Sequence, residues 1–469
     1  MIGRRAESEV LRDAASSDEA EFIVVYGRRR VGKTYLVRQV FQGEFTFAYT
    51  GVANVTRRVQ LAQFMRTLRD AGWAARQPVL TWFDAFDELR HFLSSQPDGA
   101  RPLVFLDEMP WMDNRKSEFV SAFEHFWNGW ASGVKGFTLI ACGSATAWIT
   151  KRIFRNAGGL FGRVTRQIRL VPFTLAECRD YLAAAGVVWN LRDVIECFMV
   201  FGGIPYYLHL LDRRRSLAQN VDALLLDEAG PLRTEFDTLF GTLFQNASGH
   251  VEVVKALAHR TIGLTRTDLA DQVELRDGGN LTRILSELEQ SGFIRTYLPY
   301  GRAKNGGLIQ LIDPFTAFHL RFVENRRPGR SWAASIDSAE HRAWSGLAFE
   351  QACLAHVPQI TRALGISGVA HDVSSWRSRD TPGAQIDLVL ARSDHIVNLC
   401  EMKYVNGEFA VDKRTDLDLR RKAAVFTRET KTRDAVHLTL VTTYGLAATA
   451  YSSVFQSTVT MDDLFATGG

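Results

Sequence analysis

The sequence lacks the features that mark secreted, zinc-stapled and membrane-spanning proteins. Its cysteines stand singly, without a C-x-x-C pair, which argues against a zinc site or a disulfide framework and favours a reducing compartment. No run of about 18 apolar residues occurs. The opening MIGRRAESEV carries charges where a signal peptide needs an apolar stretch. These absences predict a cytoplasmic protein with no membrane partner.

The sequence also lacks a large excess of either positive or negative charge. The net charge is +4 over 469 residues, which is compatible with nucleic-acid binding but does not establish it. The composition, 46% hydrophobic and 23% charged, is that of an ordinary globular chain. Its length exceeds the size at which a single core stops growing, so we expect roughly two to four domains.

The strongest pattern is EFIVVYGRRRVGKT, at residues 21–34. Phe22 to Tyr26 form a short apolar run that predicts a buried parallel strand. Residues 27–34 then fit G-x-x-x-x-G-K-[ST], and apolar residues recur afterwards at helical spacing. A phosphate-binding loop needs this place between a strand and a helix.

This motif predicts that the loop residues bind a nucleotide, namely Gly27, Arg28, Arg29, Arg30, Val31, Gly32, Lys33 and Thr34. The glycines let backbone N–H groups turn towards the phosphates. Lys33 would reach the β and γ phosphates, and the Thr34 hydroxyl would hold Mg²⁺. The expected cofactors are therefore ATP and Mg²⁺.

A second apolar strand ends in an acidic pair, in RPLVFLDEMPW. We expect Asp107 to bind Mg²⁺ through water and Glu108 to polarise the water that attacks the γ-phosphate. An exposed strand end is the simpler alternative for such a pair.

Two further residues are candidates for catalysis. Ser144 follows a third strand, in GFTLIACGSATAWI, where it would bind the attacking water or the γ-phosphate; ordinary turn chemistry explains it equally well. Arg163 lies in a basic stretch without acids, at residues 151–170, and is our candidate for an arginine finger or a phosphate contact in cis. A solvated or nucleic-acid-facing loop is the alternative.

The motifs IGRRAE, YGRRRVGKT, LVFLDE, ACGSA and GGIPYYL occur in this order and resemble those of the archaeal-type P-loop ATPases of the AAA+/STAND division. The resemblance covers roughly residues 1–230. It implies that Ile2 and Gly3 lie near the adenine and that Gly203 and Pro205 belong to a helical lid over the nucleotide. It also implies nucleotide-driven conformational change more firmly than rapid turnover.

The middle of the chain changes character at about residue 240. Residues 174–226 have helical periodicity that fits a lid. Residues 251–300 read as three helices and a strand, with Thr265 or Thr267 capping the second helix and Asn280 the third, which ends at Gly292. This pattern resembles a winged helix, with exposed positions on its recognition helix at Thr282, Arg283 and Glu287. Its modest charge leaves two alternatives open, DNA binding or a linking and protein-contact module.

The C-terminal part places charged residues on strands. Residues 325–340 read as a linker, and a helix carrying Glu350 follows. AQIDLVLAR and HIVNLCEMKYV then predict a hairpin that brings Asp387 near Glu401 and Lys403, which share one face because strand side chains alternate. We expect Glu350, Asp387 and Glu401 as Mg²⁺ ligands, with Glu401 and Lys403 also active in phosphodiester cleavage.

The order Glu, Asp, Glu-x-Lys over residues 344–450 resembles the PD-(D/E)XK nuclease superfamily. Gln385 and Ile386 stand where its name would place a proline. An inactive nuclease fold used as a docking surface is the alternative. The basic segment 413–433 would lie along a phosphate backbone or face solvent, and VHLTLVTTYG is predicted as the last core strand.

Together these patterns predict a multidomain α/β protein. The expected parts are a P-loop ATPase core with a parallel sheet (1–172), a helical lid (173–240), a winged helix (241–330) and a restriction-endonuclease-like domain (331–469). The expected function is ATP hydrolysis coupled to action on nucleic acid, with DNA favoured and RNA left open, in a homo-oligomer if Arg163 acts in trans. The alternative is a nucleotide-controlled regulator or scaffold.

Overall fold

The computed structural model describes residues 2–114, 117–155, 159–244, 246–258, 262–275, 277–301, 306–324, 331–336, 338–378 and 383–467. It divides into two compact units, Met1–Pro172 and Phe173–Gly469. The first unit has the limits of the predicted ATPase core, and the second joins the other three predicted parts. Over the described residues, no helix combines the length and apolar character that crossing a membrane requires.

The described residues of the first unit form a five-stranded parallel sheet in the order β2-β3-β4-β1-β5. Its strands are β1 (Glu21–Gly27), β2 (Phe47–Thr50), β3 (Leu103–Asp107), β4 (Thr138–Gly143) and β5 (Arg166–Leu170). Its helices are α1 (Arg5–Ser16), α2 (Lys33–Val40), α3 (Arg57–Asp70), α4 (Trp82–Ser94), α5 (Phe119–Gly129) and α6 (Thr146–Ile149). The predicted buried strand at Phe22–Tyr26 is confirmed as part of β1.

An aromatic core holds α3, α4 and α5 on this sheet. In α4 the buried residues follow helical spacing, and the helix begins with a capping box in which Thr81 and Asp84 bond each other's backbone N–H groups. Phe64 of α3 packs edge-on against Trp82 of α4, with ring centroids 5.4 Å apart. Because β4 is inserted between β1 and β3, the carboxyl ends of these strands lie side by side.

The second unit begins with helices α7 (Leu175–Ala184), α8 (Leu191–Phe201), α9 (Pro205–His209), α10 (Leu217–Val221) and α11 (Glu235–Leu243). The predicted helix break at GGIP is confirmed, since α8 ends at Phe201 and Gly202 has φ 68°. Position 203 requires glycine because the backbone passes close to Phe173: an added Cβ would lie 2.3 Å from the Phe173 carbonyl oxygen.

Three helices and a small antiparallel sheet follow. The helices are α12 (Ser248–Ala258), α13 (Arg266–Gln272) and α14 (Gly279–Gln290); the strands β6 (Leu264–Thr265), β7 (Ile294–Tyr297) and β8 (Leu308–Leu311) pair in the order β6-β8-β7. Thr265 caps α13, as predicted, by accepting a hydrogen bond from the Asp268 N–H. The prediction for Asn280 is wrong, because α14 already begins at Gly279 and the Asn280 side chain accepts from Arg283 instead.

The predicted exposure of this third helix is also partly wrong. Thr282 and Arg283 are exposed, but Glu287 is half-buried. Its carboxylate lies 2.7 Å from the ring nitrogen of buried His250 and accepts from Arg283. The helix ends at the predicted place, with Gly292 at φ 76°.

The C-terminal part contains helices α15 (Pro314–Phe318), α16 (Ala339–Ala355), α17 (Val357–Ala363), α18 (Lys413–Thr430) and α19 (Met461–Leu464). Its described strands are β9 (His371–Arg377), β10 (Gln385–Arg392), β11 (Ile396–Lys403), β12 (Ala435–Thr442) and β13 (Ser457–Val459), which form a mixed sheet in the order β13-β12-β11-β10-β9. The predicted last core strand, β12, is therefore followed by another strand, β13, on its outer side.

The prediction of a linker at 325–340 is wrong for the part of this segment that the structure describes. Trp332 is 3% exposed, and Asp222 accepts hydrogen bonds from its backbone N–H and from the Ser331 hydroxyl. Helix α16 already begins at Ala339. Residues 325–330 and 337 lie outside the described part.

Candidate functional site

The loop between β1 and α2 needs glycine at both ends. Gly27 has φ 143°, and a Cβ there would lie 2.1 Å from the Leu170 carbonyl oxygen of the neighbouring strand. Gly32 caps α2 at φ 91°, a backbone conformation that side chains disfavour. The sequence motif thus has a direct steric cause at these two positions.

Lys33 lies across the inside of this loop. Its Nζ donates to the carbonyl oxygens of Gly27, at 3.0 Å, and of Arg28, at 2.8 Å. Burial lowers the pKa of Lys33, although the nearby Asp107 and Glu108 oppose that effect. A buried ammonium that donates to neutral carbonyls is well suited to exchange them for phosphate oxygens.

Thr34 and Asp107 meet at the carboxyl ends of β1 and β3. The Thr34 hydroxyl oxygen lies 3.1 and 3.0 Å from the two carboxylate oxygens of Asp107. Burial raises the pKa of Asp107 and the charge of Glu108 adds to this, while the Thr34 hydroxyl opposes both. These hard oxygen donors fit Mg²⁺, and a cation beside them would offset the cost of burying the carboxylate.

Glu108 is held by Ser144. The Ser144 hydroxyl donates to one carboxylate oxygen at 2.5 Å, and its N–H donates to the other at 3.2 Å. The Glu108 backbone is left-handed, at φ 47°, which is unusual for a residue with a side chain. Ser144 reaches Glu108 because it follows β4, the strand between β1 and β3.

The other predicted residues of this site are less closely connected. Arg163 is exposed at the end of a turn closed by the bond from its N–H to the Leu160 carbonyl. Within the described residues it has no hydrogen bond or ion pair with Lys33, Asp107 or Glu108. Ile2 and Gly3 precede α1, Gly3 having φ 66°.

Pro205 is the first residue of α9 and therefore belongs to the second unit.

A second group of charged residues lies on the C-terminal sheet. The predicted hairpin is confirmed: β10 and β11 are antiparallel, with Leu388 opposite Cys400, so Asp387 and Glu401 are neighbours across the pair. Lys403 Nζ lies 2.8 Å from Glu401 Oε1. The Gln385 side chain donates to Asp387 at 2.6 Å. We call Glu350, Asp387, Glu401, Lys403 and Lys422 the carboxylate cluster.

Lys422 is a further member of the cluster, beyond the residues predicted from the sequence. Its Nζ reaches both carboxylate oxygens of Glu401, at 3.2 and 3.0 Å, from helix α18. A signal for it existed: Lys422 falls three residues after Leu419 and four before Phe426, both buried, so helical spacing turns it towards the sheet. It was grouped instead with the surrounding basic residues.

Burial and mutual charge interactions shift the pKa values of several residues in the cluster. Burial, and then the charge of Asp387, raise the pKa of Glu350 to about 8. Burial also raises the pKa of Asp387, with a further contribution from Glu401. For Lys403, burial disfavours the charged form, but the attraction of Glu401 and the other carboxylates outweighs it and raises the pKa. Such perturbation is typical of functional sites, although structural ion-pair networks show it too.

The described side chains of the cluster are not arranged as a ready metal-binding site. Among the residues that the structure describes, no three or more histidine, cysteine, aspartate or glutamate side chains form a group that could hold a metal ion. Glu401 instead faces the ammonium groups of Lys403 and Lys422. The donors are of the right chemical class for Mg²⁺, but Glu401 would have to exchange its present partners for the cation.

Comparison with known proteins identifies structures of similar fold but does not assign the chain to a family. No protein-family model matches the chain. It is 22% identical to an uncharacterized protein of Methanocaldococcus jannaschii over 438 residues, 90% of this chain and 92% of that one. Among solved structures it resembles the Walker-type ATPase of Pyrococcus abyssi, at 16% identity and a TM-score of 0.50, over 69% of this chain and 96% of that one. The ORC2 protein of Aeropyrum pernix aligns at 14% identity and a TM-score of 0.42, over 69% of this chain and 93% of that one. Together with the parallel sheet of the first unit, the Pyrococcus match shows that the aligned part of the chain has the fold of a Walker-type P-loop ATPase.

Proposed function

We propose that the protein binds and hydrolyses ATP with Mg²⁺ in its first unit and acts on nucleic acid through its second. The observation that carries the ATPase proposal is the contact of the Thr34 hydroxyl with Asp107, beside a Glu108 carboxylate fixed by Ser144. A loop motif alone does not require these three strand ends to meet. Their meeting would place two oxygen ligands for a cation beside a carboxylate that could act as the base.

The chain's own residues divide the work of hydrolysis. Lys33 would leave the carbonyls of Gly27 and Arg28 for the β and γ phosphates, and loop N–H groups would bind the same anion. Thr34 and Asp107 would hold Mg²⁺, which draws charge from the phosphates. Glu108 would accept the proton of the attacking water at a carboxylate oxygen, and Ser144 would keep that oxygen in position.

For the second unit we propose Mg²⁺-dependent phosphodiester cleavage at the carboxylate cluster. Asp387 and Glu401 would hold the cation, with Glu350 ligating or orienting water beside them. Lys403, once released from Glu401, would stabilise the charge that develops on the phosphate. What supports this proposal is the position of Asp387 next to Glu401 across β10 and β11, with Glu350 lining the same small cavity as Asp387. Two ammonium groups, from Lys403 and Lys422, contact Glu401.

A nucleotide-controlled regulator or scaffold is the second candidate. The pairing of Glu401 with two lysines favours it, because an inactive site would be neutralised in this way. The segment α12–α14 with β6–β8, which we propose as a winged helix, points the same way. Arg283 on its third helix is bonded to Glu287 and Asn280, so little basic charge is offered to a DNA groove.

The two candidates separate in one experiment. The full chain is incubated with Mg²⁺ or Mn²⁺, with and without ATP, and with plasmid DNA, linear DNA or RNA. The cleavage proposal expects strand breaks that Asp387→Ala abolishes, while Lys33→Ala abolishes ATP hydrolysis. Asp394→Ala is the matched control, because this carboxylate lies in the β10–β11 turn and bonds Arg392. Absence of cleavage under every condition would favour the regulator or scaffold.

We also propose a homo-oligomer in which Arg163 acts on a neighbouring copy's nucleotide. Its exposure in a turn supports action away from its own loop. The test mixes the Lys33→Ala and Arg163→Ala variants, each without activity alone. Recovered ATP hydrolysis in the mixture would support a contribution in trans, and none would contradict it.

A further inference from the structure

An open groove of about 640 Å³ runs beside the carboxylate cluster, between α18 and the end of β11. We propose that this groove, here named the α18 groove, binds single-stranded nucleic acid. The inference rests on the proposed function and deepens it, since it names the strand form that reaches the cluster. The side chains that carry the argument are Lys403, Phe409, Arg414, Leu417, Arg421 and Lys422.

The charge of the groove suits a polyanion. Lys403, Arg414, Arg421 and Lys422 line it as cations, and they exceed the two carboxylates present, Glu401 and Asp418. Lys403 and Lys422 belong to the carboxylate cluster as well as to the groove, and both contact Glu401. A phosphate backbone laid along these cations would therefore bring a phosphodiester to the carboxylates.

The groove also offers faces for unstacked bases. Phe409 and Leu417 both line it, Phe409 half-buried and Leu417 58% exposed. An exposed apolar side chain is not stabilised by contact with water, but it can pack against the flat face of a nucleic-acid base. Single-strand-binding proteins combine a positive groove with aromatic side chains in this way, because every base has a π-face.

The other side of the cluster is covered, which argues against a continuous duplex. Glu350 and Asp387 face a cavity of only about 10 Å³, roughly the space of one water, whose far wall includes Arg295 and Tyr297 of β7. This wall is anchored: the Tyr300 N–H donates to the Ser375 carbonyl at 2.7 Å. One strand entering from the α18 groove meets the cluster, whereas a second strand would meet the wall.

The test measures binding apart from cleavage. The full-length Asp387→Asn variant is titrated against a fluorescent oligothymidylate and against a blunt duplex of equal length, by anisotropy over a range of salt concentrations. We expect the single strand to bind about tenfold more tightly than the duplex. Equal affinity for the two forms, or tighter binding of the duplex, would overturn the proposal.

Substitutions in the same background locate the site. Arg414→Ala should reduce the salt dependence of binding by about 0.7 in the logarithmic slope. Phe409→Leu, which keeps the apolar packing, should weaken single-strand binding about tenfold through lost stacking. Arg420→Ala is the matched control: this arginine is on α18 outside the groove and pairs with Asp416.

If the control weakens binding as much as Arg414→Ala does, the groove is not the site. If single strands bind there as expected while the unmodified protein cuts nothing, the groove stands and the cleavage proposal fails. If the protein cuts nucleic acid and the groove variants change neither binding nor cleavage, the cleavage proposal stands and the groove proposal fails.

Discussion

Glu350 provides a sharp test of the electrostatics of the carboxylate cluster. Its pKa rises from an ordinary 4.5 to about 8, because burial and the charge of Asp387 both disfavour the carboxylate form. A carboxyl group whose pKa is higher in the folded state binds its proton more tightly there. Folding stability is therefore lost as the pH rises from 4.5 to 8, and it does not change further through this group above that range.

The size of the effect follows from the same values. The full interval corresponds to about 5 kcal/mol at pH 8, at 1.36 kcal/mol for each pH unit. Water still reaches part of the side chain, and Lys403 and Lys422 lie close, so we expect about 3 kcal/mol. Glu350→Gln removes the ionisation while keeping the shape. It should stabilise the second unit by about this amount at pH 8 and by little at pH 4.5.

The assay is urea unfolding of the full chain at a series of pH values. Pulsed hydrogen exchange with mass spectrometry identifies the transition that exposes β10 and β11, so that unfolding of the first unit does not enter the result. Glu408→Gln, at an exposed carboxylate, is the control and should follow the unmodified protein. If the Glu350→Gln curve runs parallel to that of the unmodified protein between pH 4.5 and 8, Glu350 is not held in its protonated form by the cluster.

Two predictions concern the first unit. Ser144→Ala removes the hydroxyl that fixes Glu108, so kcat for ATP hydrolysis should fall about 10- to 100-fold with little change in the nucleotide Kd; a changed Kd alone would contradict the positioning role. Gly27→Ala places a methyl group 2.1 Å from the Leu170 carbonyl and should lower the free energy of unfolding by at least about 2 kcal/mol in thermal denaturation. Gly133→Ala, where nothing lies within 4 Å, should cost far less, and equal losses would refute the steric explanation.

The backbone of the proposed nucleotide site could be predicted from the sequence because its pattern is local. A loop of fixed spacing specifies its own backbone, and an acidic pair at the end of an apolar strand marks the carboxyl edge of a parallel sheet. The bond between Ser144 and Glu108 was not predictable, since it depends on the insertion of β4 between β1 and β3. No local pattern encodes the order of strands in a sheet.

The carboxylate cluster shows the limit of the same reasoning. Alternation along β11 correctly placed Glu401 and Lys403 on one face, as their contact demonstrates. Lys422 comes from helix α18, 21 residues later in the chain. Its helical spacing from Leu419 and Phe426 turns it towards the sheet, but no local pattern shows which strand residue it meets there. The prediction that Asn280 caps α14 failed for a related reason: side-chain capping preference is weak against a glycine-rich start, and the helix begins two residues earlier, with Gly278 at the N-cap.

The packing of α8 connects the predicted lid with the carboxylate cluster inside the second unit. Arg192 of α8 donates to the Tyr404 hydroxyl at 3.2 Å, and Glu196 of α8 lies 3.1 Å from a ring nitrogen of His341 on α16. Tyr404 directly follows Lys403, and α16 carries Glu350. Because packed helices move as rigid bodies, a displacement of α8 would act on both sides of the cluster through these contacts rather than through a flexible linker. The predicted lid is therefore joined to the C-terminal sheet by side-chain bonds, so that its position and the geometry of Glu350 and Lys403 are linked within one unit.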